Sequence, residues 1–332
     1  MEKMERGDLM KHPFLINLLD SEDCISVHED IDRGRGFMKE RLRLILAPTG
    51  PDENNEVIDS LFFEGNEASH HTHTRGYETF FVGDGEIELT VRGRKCHVTN
   101  GDIIHLGPWN AHRMRWLKDT PWRGVLHQMN ITQAMVDKML VSDNCPDLGD
   151  DEYLLKLYRT SNKALKKPAP VAVEVPKSEI AEVRTPEFAY ASYHFDGVTL
   201  RLKVGRWETG GVKEIWELNM EDGFYVKWGN PSPVSYIYYV TEGNVRFSVF
   251  NNEFVAPHDS IVRVPSFAIH SFRAEGKSVM YDISGEAMTL ELLLDYQSYQ
   301  TYEPELLNDK RFLFELAEKY KCFITEWGLE KK

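Results

Sequence analysis

The chain has 332 residues, a length more typical of two folded domains than of one. It is 42% hydrophobic, 28% charged and 11% aromatic, which excludes disordered and collagen-like classes. The formal net charge of −14 disfavours nucleic acid and anionic membranes as partners, because both are negatively charged. Four scattered cysteines without a CxxC pattern, and the lack of a long apolar run, predict a cytoplasmic protein without a disulfide framework or a membrane span.

Strand patterns dominate the first part of the chain. Short alternating segments such as RLRLIL, ETFFV and EIELTV run from about residue 42 to 128. Helical spacing follows in AMVDKMLV and EYLLKLY, between residues 132 and 158, and a Lys- and Pro-rich segment without periodicity comes next. A second strand-rich block, with VTLRLKV, VSYIYYV and NVRFSVF, covers residues 188–283. The segments MTLELLLDYQ and PELLNDKRFLFELAEKYKCF predict helices at the end.

These patterns predict an all-β fold that uses one architecture twice, with short helices between the two copies and at the C terminus. The predicted N-terminal domain covers residues 1–160 and the predicted linker covers residues 161–180. The C-terminal domain is expected at residues 181–300, followed by a helical tail at residues 301–332.

One segment of the first block has the composition of a metal site. It carries His71 and His73, and Glu78 follows on the next predicted strand. Side chains at i and i+2 of a strand share a face, so the two histidines can point into one barrel, whereas His70 is expected to face solvent or to lie behind the ligands. His112 comes from a further strand. Three imidazoles and a carboxylate suit a divalent transition metal with coordination positions left open.

The spacing Gly65-x5-His71-x-His73-x4-Glu78-x6-Gly85, with Gly101 and His112 beyond it, resembles the two motifs of the cupin superfamily. The resemblance covers both strand-rich blocks and implies two jelly-roll β-barrels. It implies that His71, His73, Glu78 and His112 bind the metal, with Fe or Mn favoured and Ni, Cu or Zn possible. The loop before His112 departs from the family pattern. Gly107 stands where the family has a proline, the proline of this chain is Pro108, and Trp109 stands where the family has a glycine.

The second block keeps little of this ligand set. The resemblance aligns Gly229 and Pro231 with the histidine pair and Tyr236 with the glutamate, and only His270 matches a ligand. We therefore predict a C-terminal barrel without metal, in which His270 is a hydrogen-bonded core or cavity histidine. A role for His270 and Tyr236 in binding an anionic or aromatic ligand is the alternative.

Residues near the predicted metal are candidates for substrate binding. By alternation, Phe80 lies on the face of Glu78, and Met114 and Trp116 lie on the face of His112. Arg75 and Tyr77 lie in the segment between the ligands, where a guanidinium can pair with a carboxylate. Core packing explains the apolar side chains equally well, and loop arginines are usually solvated. His127 is a weak candidate because only its strand suggests that it lines the cavity.

The sequence favours an enzyme, with Glu78 as a possible catalytic base. The first hypothesis is a dioxygenase-type oxidoreductase that acts on a small oxygen-rich or aromatic substrate, since a similar pattern of two barrels and one metal occurs in flavonol-cleaving cupins. The alternative is non-redox Lewis-acid chemistry by a decarboxylase, lyase or sugar isomerase. A second alternative is a small-ligand binding or sensor protein. We expect a small molecule as substrate and a homodimer as the assembly.

Overall fold

The computed structural model describes residues 14–17, 26–32, 39–46, 56–73, 77–129, 163–165, 171–228, 234–284, 287–322 and 324–330. For residues 17, 26–32, 39–44, 56, 69, 71–73, 129, 163–165, 228, 324 and 325 it describes the backbone only. The segment predicted to be helical at residues 132–158 lies outside the described residues, as does Arg75.

Strands form the larger part of the described chain. They are β1 (Leu15–Asn17), β2 (Ser26–Asp32), β3 (Lys39–Leu46), β4 (Glu56–Phe62), β5 (Glu67–His73), β6 (Glu78–Val82), β7 (Ile87–Val91), β8 (Arg94–Val98), β9 (Ile103–Leu106), β10 (His112–Trp116), β11 (Val125–Met129), β12 (Lys163–Leu165), β13 (Val173–Glu174), β14 (Val183–Arg184), β15 (Ser192–Phe195), β16 (Val198–Val204), β17 (Ile215–Met220), β18 (Phe224–Trp228), β19 (Tyr236–Val249), β20 (Asn252–Pro257), β21 (Ser260–Val264), β22 (His270–Asp282) and β23 (Ile324–Leu329). The α-helices among the described residues are α1 (Thr289–Tyr302) and α2 (Lys310–Lys319). The predicted all-β class is confirmed.

The chain divides into two units, one of residues 24–188 and one of residues 1–23 and 189–332. In the first unit, the described strands form one sheet in the order β14-β9-β6-β11-β4-β3-β2 and another in the order β12-β5-β10-β7-β8-β13. Neighbours pair antiparallel, except that β13 runs parallel to β8. We refer to residues 24–188 as the N-terminal unit and to the remainder as the C-terminal unit.

The bounds of the units differ from the predicted domains. Parts of the predicted linker pair with the N-terminal unit, through β12 on β5 and β13 on β8. Ile180 and Val183 are buried in the core of that unit. Pairings of two or three residues leave no periodicity in a sequence, so this part of the sheet reads as an irregular connection.

The C-terminal unit forms one sheet among its described strands, in the order β1-β21-β19-β22-β17-β16-β15, with β20 on β19 and β18 between β22 and β23. Its core joins apolar side chains of the strands to Leu292 and Leu293 of α1 and Leu316 of α2. The predicted tail at residues 301–332 is therefore only partly helical, because β23 adds to the sheet. No helix in the described part of the chain is long and apolar enough to cross a membrane.

Candidate metal centre

Strand pairing brings two of the predicted ligands together at the level of the backbone. In the ladder between β5 and β10, His71 lies opposite His112, and a register shift follows immediately. Irregularities of this kind often re-aim a side chain within a sheet. The side chains of His71 and His73 lie outside the described part of the structure, so their role as ligands stays a prediction.

Glu78 and His112 form the described half of the predicted ligand set. Each is the first residue of its strand, β6 and β10, and the two side chains are 2% and 0% exposed. Oε2 of Glu78 lies 3.4 Å from Nε2 of His112. Two donors about 2.1 Å from one tetrahedral ion lie about 3.4 Å apart, so this separation fits two ligands of one metal.

A backbone contact sets the orientation of the His112 ring. Nδ1 of His112 lies 2.8 Å from the carbonyl oxygen of Asn110. A carbonyl oxygen can only accept a hydrogen bond, so Nδ1 carries a proton, and Nε2 is the ring atom on the side of Glu78 that a metal would bind. Metal-binding histidines are commonly held by such a second contact, which fixes both tautomer and ring orientation.

His127 lies at the same place, although the sequence ranked it as a weak candidate. Its Nε2 atom is 3.5 Å from Oε1 of Glu78, and its ring stacks on Phe80 at a centroid distance of 3.9 Å. The pairing of β11 with β6 explains this position, because His127 lies opposite Phe80 and Met129 lies opposite Glu78. The signal in the sequence was the strand alternation alone, which cannot identify the neighbouring strand.

Tyr77, predicted to contact substrate, lies on the other side of the sheet. Its side chain is buried, and its ring centroid is 5.6 Å from that of His105. His105 pairs opposite Thr79 and contacts its hydroxyl, and Thr79 follows Glu78 directly and so points to the opposite face. Burial raises the pKa of the Tyr77 hydroxyl. These contacts separate Tyr77 from Glu78.

The apolar candidates occupy the hydrophobic core. Phe80, Met114 and Trp116 all belong to the core cluster of the N-terminal unit. Trp116 stacks on Phe62 at a centroid distance of 4.0 Å, which accounts for its ring by packing. Of these side chains, Phe80 is the one joined to the candidate centre, through His127.

Of the two positions expected for His70, the one facing solvent is wrong, because the residue is 9% exposed. The other, behind the predicted ligands, stays a prediction.

The C-terminal unit has a histidine in the corresponding turn, with a different neighbour. His270 is buried, and its Nδ1 atom lies 3.4 Å from the carbonyl oxygen of Ala268. Its Nε2 atom accepts from the hydroxyl of Tyr238, 3.2 Å away. Burial lowers the pKa of His270 to about 3, so the ring is neutral at physiological pH. Tyr236 stacks beside Tyr238, and Gly229 and Pro231 lie outside the described residues.

The donor types present fit a transition metal, although the described side chains alone do not complete a site. Among them there is no group of three or more His, Cys, Asp or Glu arranged to hold a metal ion. Glu78 and His112 supply one oxygen and one nitrogen, and His71 and His73 would supply two further nitrogens. This set of nitrogen and oxygen donors suits Fe, Mn, Ni, Cu or Zn.

The segment that contains these residues matches a known family. A family model described as a cupin domain matches residues 62–126, which include both predicted motifs. Within this chain, residues 62–126 therefore form a cupin domain. No curated protein sequence matches this chain significantly.

Solved structures with the same fold extend the likeness to both units. An oxalate decarboxylase of Bacillus subtilis, a protein with Mn(II) centres, is 14% identical over 96% of this chain and 89% of its own, with a TM-score of 0.51. A second oxalate decarboxylase structure is 12% identical with the same coverage and TM-score. At this identity the likeness is one of fold, and it agrees with an arrangement of two cupin domains in one chain.

Proposed function

We propose that this cupin is a metal-dependent enzyme whose N-terminal unit binds a divalent transition metal through His71, His73, Glu78 and His112. The observation that carries the proposal is the buried contact between Glu78 and His112, with the His112 ring fixed by Asn110. Burying a carboxylate against an imidazole costs desolvation energy that packing alone would not require.

The chain's own residues prepare the site for a small substrate. When bound, the metal would polarise carboxylate or carbonyl oxygens of the substrate. Glu78 and His112 keep their donor atoms buried, and Phe80 and His127 form one described wall beside them. Nε2 of His127 is placed to hydrogen-bond a substrate next to Glu78. Arg75 stays a proposed contact for a substrate carboxylate.

Among the reactions that the sequence left open, we favour decarboxylation of a small carboxylic acid. The two solved structures compared above are oxalate decarboxylases, one of them with Mn(II) centres, which supports Mn as the first metal to test. The apolar ring of Phe80 at the site also favours loss of a carboxylate, because the charged group is poorly solvated beside it. The dioxygenase hypothesis has no comparable support.

Metal analysis tests the site. The purified chain is loaded with Mn, Fe or Zn, and metal per chain is measured for the natural protein and for His112→Ala and Glu78→Gln. We expect both variants to lose most of the metal, at least tenfold in affinity. His97→Ala is the matched control, because His97 is an exposed histidine of the same unit paired with Glu86. Unchanged metal content in His112→Ala would contradict the proposed site.

Product analysis tests the reaction. The metal-loaded protein is incubated with oxalate and other small mono- and dicarboxylic acids, and carbon dioxide release and oxygen uptake are recorded together. Carbon dioxide release without net oxygen consumption supports decarboxylation. Stoichiometric oxygen uptake would instead support the dioxygenase hypothesis. The expected homodimer is tested separately by light scattering of the same sample.

A further inference from the structure

The C-terminal unit contains an apolar cavity that the proposed function does not use. Its volume is about 100 Å³. Its wall combines aliphatic side chains with aromatic rings from strands, from α1 and from β23, among them Phe195, Trp216, Phe224, Phe272, Tyr296 and Trp327. Protein interiors are normally packed as densely as organic crystals, so a void of this size within a core is unusual.

The cavity lies beside the residues that replace the metal ligands in this unit. Trp216, Tyr238 and Asp282 sit side by side on three adjacent strands, because Asp282 pairs with both other residues across the sheet. The hydroxyl of Tyr238 is bonded to His270, and that of Tyr236 donates to the carbonyl oxygen of Lys321. Because both hydroxyls already form hydrogen bonds, Tyr236 and Tyr238 contribute mainly their rings to the cavity wall.

One side of the cavity is formed by rings that remain partly accessible. Phe195, Tyr296 and Trp327 contact one another, with centroid distances of 6.0 Å from Phe195 to Tyr296 and 5.2 Å from Tyr296 to Trp327. Each of the three is half-buried. The first contact is edge-to-face and the second is tilted, and neither covers the ring faces fully, so another aromatic group can pack on them. These three rings therefore form the side of the cavity that is nearest to solvent.

The polar groups of the wall favour an uncharged occupant. Burial raises the pKa of the Asp282 carboxyl and raises that of the Cys322 thiol to about 12. The nearby Lys213 is fully buried, and burial holds its pKa well below the usual value. A charged ligand would lose its hydration among the apolar side chains that form most of this wall.

We propose that this cavity is a binding site for a small uncharged aromatic molecule of one ring. The volume of about 100 Å³ limits the ligand to a single ring, because the engineered apolar cavity that binds one benzene is larger, at about 150 Å³. The site lies within the C-terminal unit and is independent of the proposed metal chemistry.

Calorimetry and ligand-observed NMR with phenol and toluene test the site on the full chain. We expect saturable binding of both, with one site per chain. Benzoate and benzylamine have the same ring with a negative or positive charge, and each is expected to bind at least tenfold more weakly than phenol. If benzoate or benzylamine bound as tightly as phenol or more tightly, the proposal that the ligand is uncharged would be wrong. If neither phenol nor toluene bound at millimolar concentration, the proposal that the cavity is a binding site would be wrong.

Two matched variants locate the binding. Leu292→Phe places extra volume in the cavity, whereas Leu316→Phe makes the same change on α2, at a buried leucine outside the cavity wall. We expect at least tenfold weaker phenol binding in Leu292→Phe and unchanged binding in Leu316→Phe. Leu218→Phe, a second substitution in the wall, serves if Leu292→Phe does not fold. An equal effect of the Leu292 and Leu316 substitutions would contradict the assignment.

Discussion

The hydroxyl of Tyr238 lies 3.2 Å from Nε2 of His270, the ring atom that in His112 faces Glu78. Both histidines bond through Nδ1 to the carbonyl two residues earlier. Both also follow a turn in which an exposed aromatic residue, Trp109 or Phe267, has a positive φ. In both units, the same backbone contact therefore orients the histidine ring. The partner of Nε2 differs, because it is the Glu78 carboxylate in one unit and the Tyr238 hydroxyl in the other.

Removing the hydroxyl of Tyr238 should affect stability and leave the metal in place. Tyr238→Phe deletes a buried hydrogen bond, so we expect the free energy of unfolding to fall by about 1–2 kcal/mol. Denaturant titration measures this change, and metal analysis should give the natural content. Tyr236→Phe is the control of the same size, because its hydroxyl donates to Lys321 rather than to a histidine. A loss of metal in Tyr238→Phe would show that His270 belongs to a metal site.

His127 should be needed for turnover more than for metal binding. In His127→Ala the wall beside Glu78 is lost, together with the ring that stacks on Phe80. We expect metal content near that of the natural protein and kcat/KM lower by about 10- to 100-fold, since the substrate is no longer positioned. Steady-state kinetics and metal analysis of the same preparation separate the two effects. Loss of metal equal to that of His112→Ala would instead make His127 a ligand.

Glu214 should make stability depend on pH. Burial raises its pKa to about 7 in the folded chain, against an ordinary value of 4.5. Between these values the folded state keeps a proton that the unfolded state has lost, so this group's contribution to stability falls as the pH rises from 4.5 to about 7. The full difference is about 3 kcal/mol.

The variant Glu214→Gln isolates this contribution. Its amide oxygen can still accept from Trp216 Nε1 and from the backbone of Leu290, which both bond to Glu214. Relative to the natural protein, Glu214→Gln should gain stability on going from pH 5 to pH 8, as measured by denaturant titration at each pH. A constant difference across this range would show that the carboxyl titrates normally.

Gly243 should tolerate no side chain. Its φ is +73°, and a β-carbon there would overlap the carbonyl oxygen of Lys277. Gly210 has a similar φ of +69° but no heavy atom within 4 Å of the added position. Gly210→Ala should therefore cost about 1–2 kcal/mol from backbone strain alone. Gly243→Ala should cost about 3 kcal/mol or more, because strain and overlap add. Thermal unfolding of the two variants compares them, and equal costs would contradict the close approach.

Alternation was enough to predict the fold class, because nearly every strand with one buried face alternates in sequence. Alternation did not predict the number of strands correctly where a strand contains a bulge. The runs YIYYV and NVRFSV read as two strands separated by a turn, but they form the single strand β19. Register shifts accompany the bend at Gly243, and a local sequence cannot distinguish a bulge from a turn.

The resemblance to the cupin motifs implied that Glu78 and His112 lie together, and the structure brings their side chains into contact. His127 needed the order of strands in the sheet, since its neighbour Glu78 is remote in sequence and becomes adjacent only when β11 pairs with β6. Tyr77 was misplaced because the segment before Glu78 was treated as part of the ligand loop. The direction of the Tyr77 side chain is set by β6, which begins at the next residue, so Tyr77 and Glu78 point to opposite faces of the sheet.

The strand β1 pairs with β21, which belongs to the last third of the chain. Phe14 and Leu15, next to this pairing, pack against the core of the C-terminal unit. During synthesis, β1 therefore stays without this partner until β21 has been made, after the whole N-terminal unit. The N-terminal unit can fold in that interval, whereas the sheet of the C-terminal unit has to recruit a strand made well before its neighbours.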